Sequence, residues 1–167
     1  KKIIAMLMLI LSTLSFAAKK LYVGTNAEFK PYEYLENNKM VGFDIELMEL
    51  LGKELGYEIK WQDMSFDGLL PALQMKKIDA VIAGMSATPE RKKAVAFSKP
   101  YFKAKQVVIT KGVDKSLKSF KDLAGKKVGV MLGFTGDTVV SEIKGVKVER
   151  FNASYAAIMA LSQNKVD

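Results

Sequence analysis

Asp79-Ala80-Val81-Ile82-Ala83-Gly84-Met85-Ser86-Ala87-Thr88-Pro89-Glu90-Arg91 is the stretch that decides the fold class. Its first five residues, an acid followed by a short apolar run, predict a strand. Thr88, Pro89 and Glu90 then supply a capping hydroxyl, a proline at the first helical position and an acid in the first turn, which together predict a helix start. Gly84-Met85-Ser86-Ala87, three of them small, fills the loop between them. A strand feeding a helix through a short loop is half of a βαβ unit, and the same alternation extends to both sides.

Upstream, Leu21-Tyr22-Val23-Gly24-Thr25 predicts a strand. Asp44 reads as the cap of a helix whose apolar face holds Leu47, Leu50, Leu51 and Leu55, with Glu46 early, Lys53 late and Gly56 as its stop. Glu58 to Gln62 predicts a second strand, and Ser65 caps a helix carrying Leu69, Leu70 and Leu73. Downstream, Gln106 to Thr110 predicts a strand, and Ser119-Phe120-Lys121-Asp122 has the form of a capping box. Lys127 to Val130 and Val146 to Phe151 read as strands, Thr135 to Ile143 and Ser154 to Leu161 as helices. Two successive βαβ assemblies predict two α/β lobes, over residues 19–104 and 105–167, with the crossing near Tyr101 to Val107. Neither a Pro/Gly-rich linker nor a low-complexity tract separates them, which suits a short hinge. Asn164-Lys165-Val166-Asp167 reads as the approach to a further strand, so a C-terminally truncated second lobe is expected.

Composition narrows the chemistry. Hydrophobic residues make up 49% of the chain, enough to bury a core. The chain has no cysteine and no histidine, which excludes disulfides, thiol nucleophiles, Cys/His zinc sites and a lipid anchor on an N-terminal cysteine. Any catalysis would fall to carboxylates, lysines or hydroxyls. The net charge of +8 comes from scattered lysines and reads as a solvated surface rather than a nucleic-acid groove. Lys1 and Lys2 precede an apolar run from Ile3 to Leu14, followed by Ser15-Phe16-Ala17-Ala18. That is the pattern of a secretory signal over residues 1–18, cleaved near Ala17 or Ala18. The run is about a dozen residues, short of the roughly 20 a spanning helix needs. A periplasmic or extracellular location is expected.

In open parallel sheets, ligands bind beyond the carboxyl ends of the strands. Gly24 to Phe29, Ala83 to Arg91 and Gly133 to Asp137 occupy that edge. Gly84 permits close approach, the Ser86 hydroxyl can donate and accept, and the planar fork of Arg91 suits a carboxylate. On the residues alone, Arg91 reads rather as part of a solvated Arg91-Lys92-Lys93 run, and Phe29 and Phe66 as core.

The order of motifs reverses both readings. Gly24-Thr25-Asn26-Ala27-Glu28-Phe29-Lys30-Pro31-Tyr32 followed by Val41-Gly42-Phe43-Asp44 resembles the opening of the polar amino-acid solute-binding proteins, family 3 of the bacterial extracellular binding proteins. Phe66 to Leu73, Lys77 to Ala80, Ala83 to Arg91, Phe97 to Tyr101 and Leu123 to Val130 continue that resemblance in order over nearly the whole chain. It implies a periplasmic-binding-protein-like fold, two α/β lobes on a hinge, with the last strands and return crossing missing. It implies that Arg91 holds an amino acid's α-carboxylate and that Ser86 and the Gly84 carbonyl receive its α-ammonium, with Ala83 beside them among the ligand-binding residues. Thr135 and Gly136 would reach the carboxylate from the second lobe. Phe29 and Phe66 would flank the ligand side chain, and Asn26 would contact it, with Glu28 and Asp67 near enough to favour a polar or basic ligand. The family's ammonium-pairing aspartate falls beyond Asp167, so this length of chain is expected to bind weakly or not at all.

The function so implied is capture of a free amino acid and delivery to the membrane permease of an ABC importer, by a protein that is monomeric when complete. No cofactor, metal, catalytic residue or nucleic-acid partner is expected. Two alternatives share the fold: an exported cyclohexadienyl-type dehydratase, with Glu28 or Asp67 as its acid or base, and the ligand-sensing domain of a receptor.

Overall fold

The computed structural model describes residues 18–112 and 117–167. The expected signal segment lies outside the described residues, except for Ala18. Strand β1 (Lys19–Thr25) lies between β5 (Tyr57–Asp63) and β6 (Ala80–Val81), all parallel. Its register runs from Lys19 opposite Tyr57 to Thr25 opposite Asp63, and Val23 and Gly24 stand opposite Ala80 and Val81. The carboxyl end of β1 is the buried end: Val23 and Thr25 are both 0% exposed. Three short antiparallel strands, β2 (Glu28–Phe29), β3 (Glu33–Glu36) and β4 (Lys39–Val41), form a second sheet between β1 and helix α1 (Phe43–Leu55).

Helix α2 (Phe66–Gln74) connects β5 to β6, and α3 (Pro89–Ala94) follows the loop after β6. A second group comprises a 3-10 turn (Phe120–Leu123), β7 (Lys127–Met131), α4 (Thr135–Ser141), β8 (Lys147–Phe151) and α5 (Ser154–Ser162). β7 and β8 pair in parallel from Lys127 opposite Lys147 to Met131 opposite Phe151. Leu123, Val130 and Val140 make the core of this group, with Phe120, Val128, Ile143, Val146 and Val148 packed against it. Thr88 caps α3 by accepting the Arg91 N–H at 3.3 Å, and Ser119 and Asp122 make the expected capping box.

The two βαβ groups share a structural device at the exit of one helix each. After α2, Lys76 takes a φ of +57°, the Lys77 N–H donates to the Ala72 carbonyl at 2.9 Å and the Lys76 N–H to Leu73 at 3.0 Å. After α5, Asn164 takes a φ of +58°, the Lys165 N–H donates to Ala160 at 2.8 Å and the Asn164 N–H to Leu161 at 3.1 Å. Both are Schellman exits, which satisfy the last helical carbonyls and turn the chain back toward the sheet. An aspartate then clasps the first strand of each group. Asp79 donates its N–H to the Tyr22 carbonyl (2.7 Å) and accepts the Tyr22 N–H on its carboxylate (2.9 Å). Asp167 does the same to Lys127, at 2.7 Å each way.

Four expectations need correction. Asp44 does not cap α1: the N-cap is Gly42, at a φ of +122°, where a Cβ would stand 2.3 Å from the Tyr32 carbonyl oxygen. The Asp44 carboxylate is fully buried and bonded elsewhere, as described below. Ser65 stands at the N-cap of α2, but its hydroxyl makes no capping bond. The expected core face of α1 is largely outward: Leu50, Leu51 and Leu55 are 61%, 43% and 68% exposed, while Ile45 and Gly52 are the residues that bury. Finally, Gln106 to Thr110 forms no ladder, and Val107 is 73% exposed. A strand needs a partner to take its N–H and C=O groups, and among the described residues none lies beside it. No helix among the described residues is long and apolar enough to cross a membrane.

Candidate functional site

The sheet edge expected to bind ligand is where the two βαβ groups meet. A cleft of about 220 Å³ there is lined by Phe66, Asp67, Leu70, Met85, Arg91 and Gly133. Phe66 and Asp67 open α2, Met85 and Arg91 belong to the loop and first turn after β6, and Gly133 follows β7. Each is therefore delivered by the carboxyl end of a strand or the start of a helix.

Arg91 is the residue that joins the two sides. Its Nη1 donates to the Ser86 carbonyl at 2.9 Å and its Nη2 to the Gly133 carbonyl at 2.8 Å. The guanidinium also lies over the Phe66 ring, 5.3 Å from its centroid. Burial holds its pKa below the usual arginine value, the expected direction for a cation drawn out of water. Among the described residues Arg91 has no carboxylate partner. A half-buried cation held only by neutral carbonyls suits an anionic ligand group.

Aromatic rings cluster beside the cleft, with Phe66 on its lining. Phe66 and Phe134 stack with centroids 3.8 Å apart, and Phe29 meets Phe134 edge-on at 5.4 Å. Phe29 also stacks on Tyr32 at 5.3 Å. Phe66, Leu69 and Ala83 are the buried centre of this cluster, with Met64, Val81, Met85 and Phe134 against them. Phe29 and Phe66, expected to flank a ligand side chain, thus both touch Phe134, a residue that carried no signal in the sequence.

Ala83 is buried, and Gly84 follows it with a φ of +54°. A Cβ at Gly84 would lie 2.9 Å from Phe29 Cε1, so the turn needs glycine for conformation and for space. The Gly84 N–H donates to Asp44 Oδ2 at 2.8 Å, and the Tyr101 hydroxyl donates to the same oxygen at 2.8 Å. Glu33 is also fully buried nearby. Burial first, then the charge and hydrogen bonding of Asp44, push its carboxyl up to about 10. Burial and Asp44 likewise raise the Tyr101 phenol well above the usual tyrosine value. Asn26 is buried, and its Nδ2 donates to the Met64 carbonyl at 3.1 Å while its Oδ1 has no partner.

Across the cleft, Thr135 and Gly136 open α4 directly after Phe134. The turn before them is fixed by Asp137, which is buried and accepts the Gly133 N–H at 3.1 Å, the Ser141 hydroxyl at 3.0 Å and Arg150 Nε at 3.0 Å. Burial pushes the Asp137 carboxyl up, but the bonds from Arg150, Gly133 and Ser141 outweigh it and hold it below the ordinary aspartate value. The sequence signal for Asp137 was an acid in a helix's first turn, which reads as ordinary dipole compensation. Asp167, clasped to Lys127, is turned to the start of β7 and not to the cleft. Among the described residues no group of three or more potential ligating side chains could hold a metal.

Comparison with known proteins bears on the chain as a whole. The family profile "Bacterial extracellular solute-binding proteins, family 3" matches residues 21–165. The arginine-binding extracellular protein ArtP of Bacillus subtilis is 43% identical over 152 residues, which cover 89% of this chain and 59% of that protein. A probable histidine-binding protein of Campylobacter jejuni is 40% identical over 147 residues, covering 88% and 57%. The chain therefore spans about three fifths of the length of the curated relatives it matches. Among solved structures, the arginine-bound truncated ArgBP of T. maritima superposes with a TM-score of 0.83 at 47% identity, covering 89% of this chain and 71% of that one. The ancestral amino-acid-binding protein AncCDT-1, described as a precursor of cyclohexadienyl dehydratase, superposes at 0.81 with 39% identity, covering 89% and 67%.

Proposed function

Because the chain belongs to family 3 of the bacterial extracellular solute-binding proteins, we propose that its parent protein captures a polar, basic amino acid outside the cytoplasmic membrane and delivers it to the permease of an ABC importer. The observation that carries this reading is Arg91, a half-buried guanidinium bridging Ser86 and Gly133 with no carboxylate partner among the described residues. An α-carboxylate arriving in the cleft supplies that partner through two N–H donors. Ser86 and the Gly84 carbonyl take the α-ammonium, and Thr135 and Gly136 reach the carboxylate from the opposite side. Phe29 and Phe66 enclose the ligand side chain with Asn26 at its flank, and Phe134 swings out to admit it. A cationic side chain gains from the aromatic faces and from Asp67 on the cleft wall. The names of the arginine- and histidine-binding relatives support the same ligand class.

The reading takes residues 19–104 and 105–167 as two lobes that close on the ligand about the crossing near Tyr101 to Val107. It assigns no reaction. A dehydratase needs an acid or base poised in the cleft; Asp67 lines it but Glu28 does not, and the relatives above are named for binding. Equilibrium dialysis of the full-length protein against labelled L-arginine and L-histidine tests the proposal. Saturable binding of either is expected, and retention of neither at millimolar concentration would end it.

A further inference from the structure

Behind the Gly84 turn lies a polar cluster that the binding reading leaves unused. Asp44 comes from the first turn of α1, Glu33 from the first position of β3, and both are 0% exposed. Asp44 Oδ2 holds Gly84 and Tyr101, yet Asp44 Oδ1 and both Glu33 oxygens lack any donor when the two acids are ionised. Two buried carboxylates with three orphan oxygens and no cation are untenable as two anions. One proton resolves this, since a neutral Glu33 becomes a donor and Asp44 is the acceptor beside it.

The surroundings agree. Burial is the larger influence on Glu33, and Asp44 is the charged group that adds to it. Tyr101, from the segment after α3, is the other titratable group of the cluster and is itself kept protonated by burial and by Asp44. On the strands beside β3, Glu28 stands opposite Tyr34 and Lys39 opposite Glu36, so the neighbour of Glu33 in the ladder is Phe29. The loop after β6 contributes the uncharged Gly84, whose Cβ position would lie 4.0 Å from Glu33 Oε1.

We propose that Glu33 and Asp44 share one proton in a buried acid pair that positions the Gly84 turn and the Tyr101 crossing, making amino-acid capture weaken as pH rises. The mechanism is geometric. With the Gly84 N–H pinned on Asp44, the trans peptide sends the Ala83 carbonyl the opposite way and fixes how the following turn faces the cleft. Tyr101 ties the same carboxylate to the segment that leads into the second group of strands. A second negative charge in the pair pushes Glu33 and Asp44 apart and loosens both ties at once. Asp44 and Glu33 are thus positioning residues, acting through Gly84 and Tyr101 rather than on the ligand.

The proposal rests on the amino-acid-binding reading for its affinity readout, so the test has two arms. The first measures L-arginine affinity of full-length wild type, Glu33→Gln and Asp44→Asn by calorimetry between about pH 6 and pH 11, a range that spans the value of about 10 to which the Glu33 carboxyl is pushed. Glutamine keeps a donor to Asp44 at every pH, so Glu33→Gln stays within about threefold of wild type at neutral pH and weakens less as pH rises. Asp44→Asn, which loses the charged acceptor, falls by about tenfold or more. The second arm needs no ligand: infrared spectra are searched for a neutral carboxyl band that persists above pH 7 in wild type and is absent from Glu33→Gln. Loss of binding in wild type with this band present would overturn the binding reading and leave the proton pair standing. Absence of the band, or a Glu33→Gln affinity profile that overlays wild type, would overturn the pair.

Discussion

Replacing Arg91 by alanine separates a ligand role from a structural one, because the two predict different magnitudes. The side chain donates at 2.9 Å to Ser86 and at 2.8 Å to Gly133 and rests 5.3 Å from the Phe66 ring. Hydrogen bonds from a charged donor contribute about 1.5–3 kcal/mol each when well buried, and a partly exposed cation–π contact about 0.5–1 kcal/mol. Both carbonyls can take water once the guanidinium is gone, and Arg91 is only half buried. The net folding cost of Arg91→Ala is therefore about 1–2 kcal/mol, a fall in melting temperature of about 2–8 °C for a protein of this size class. The ligand cost is larger. Truncating one partner of a desolvated charge pair costs about 2–5 kcal/mol, which weakens affinity by roughly 30-fold to several thousand-fold. Arg91→Lys keeps the charge but not the fork, and should fall between wild type and alanine. Calorimetric titration of full-length variants with L-arginine, paired with thermal melts, reads both quantities. An Arg91→Ala protein that melts well below wild type yet binds with unchanged affinity would refute the reasoning and return Arg91 to a structural lobe-to-lobe strut.

Other consequences follow from the same geometry. Phe134→Ala removes the ring stacked on Phe66, so amino-acid association should speed up several-fold in stopped-flow fluorescence; slower association would make Phe134 a wall of the site instead of a plug. Asp137 is held below the ordinary aspartate value, so its contribution to stability is present above pH 3.8 and is lost as pH falls through its folded value. Asp137→Asn should lower stability at neutral pH and shallow the acid limb of an unfolding profile, and an unchanged limb would show that the Arg150 and Gly133 bonds do not stabilise the ion. Glu33 has the opposite sign: its folded value is raised from 4.5 to about 10, so stability should fall steadily between those limits as pH rises, and Glu33→Gln should abolish that slope in urea titrations. Leu69 is 0% exposed at the centre of the cluster under the cleft, and Leu69→Ala should cost about 2.7–5 kcal/mol of unfolding free energy by urea denaturation.

The parts of this molecule that local chemistry specifies were legible in the sequence. Thr88-Pro89-Glu90 and Ser119 to Asp122 announce helix starts through bonds made within a few residues, and the structure has both. The alternation of strands and helices is equally local and gave the two βαβ groups. What could not be read depends on partners far away in sequence. Asp44 looks like any helix-opening acid until Gly84, forty positions on, and Tyr101 are found on its carboxylate. Glu33 sits between two tyrosines with nothing in the local sequence to mark it, yet it is fully buried. Leu50, Leu51 and Leu55 mark an apolar stripe, but periodicity does not say what covers it, and Gln106 to Thr110 has strand composition without a neighbouring strand among the described residues. For the candidate site, residue type made Gly84, Ser86 and Arg91 candidates, but on the residues alone Arg91 reads as surface charge, and only the order of family motifs singles it out. The segment Gly133 to Asp137 was placed at the ligand edge, but Phe134 and Asp137 were not singled out within it because a phenylalanine and a helix-start aspartate have common structural uses.

The central claim is that the parent protein recognises a basic amino acid through its α-carboxylate and α-ammonium groups. A thermal-shift panel on the full-length mature protein, covering the common amino acids, their decarboxylated and N-acetylated forms, simple sugars and divalent metals, tests it most directly. The account predicts the largest stabilisation with arginine or histidine, and none with agmatine or N-acetylarginine, which lack one of the two groups. Stabilisation by a sugar or metal instead, or by agmatine as strongly as by arginine, would contradict it.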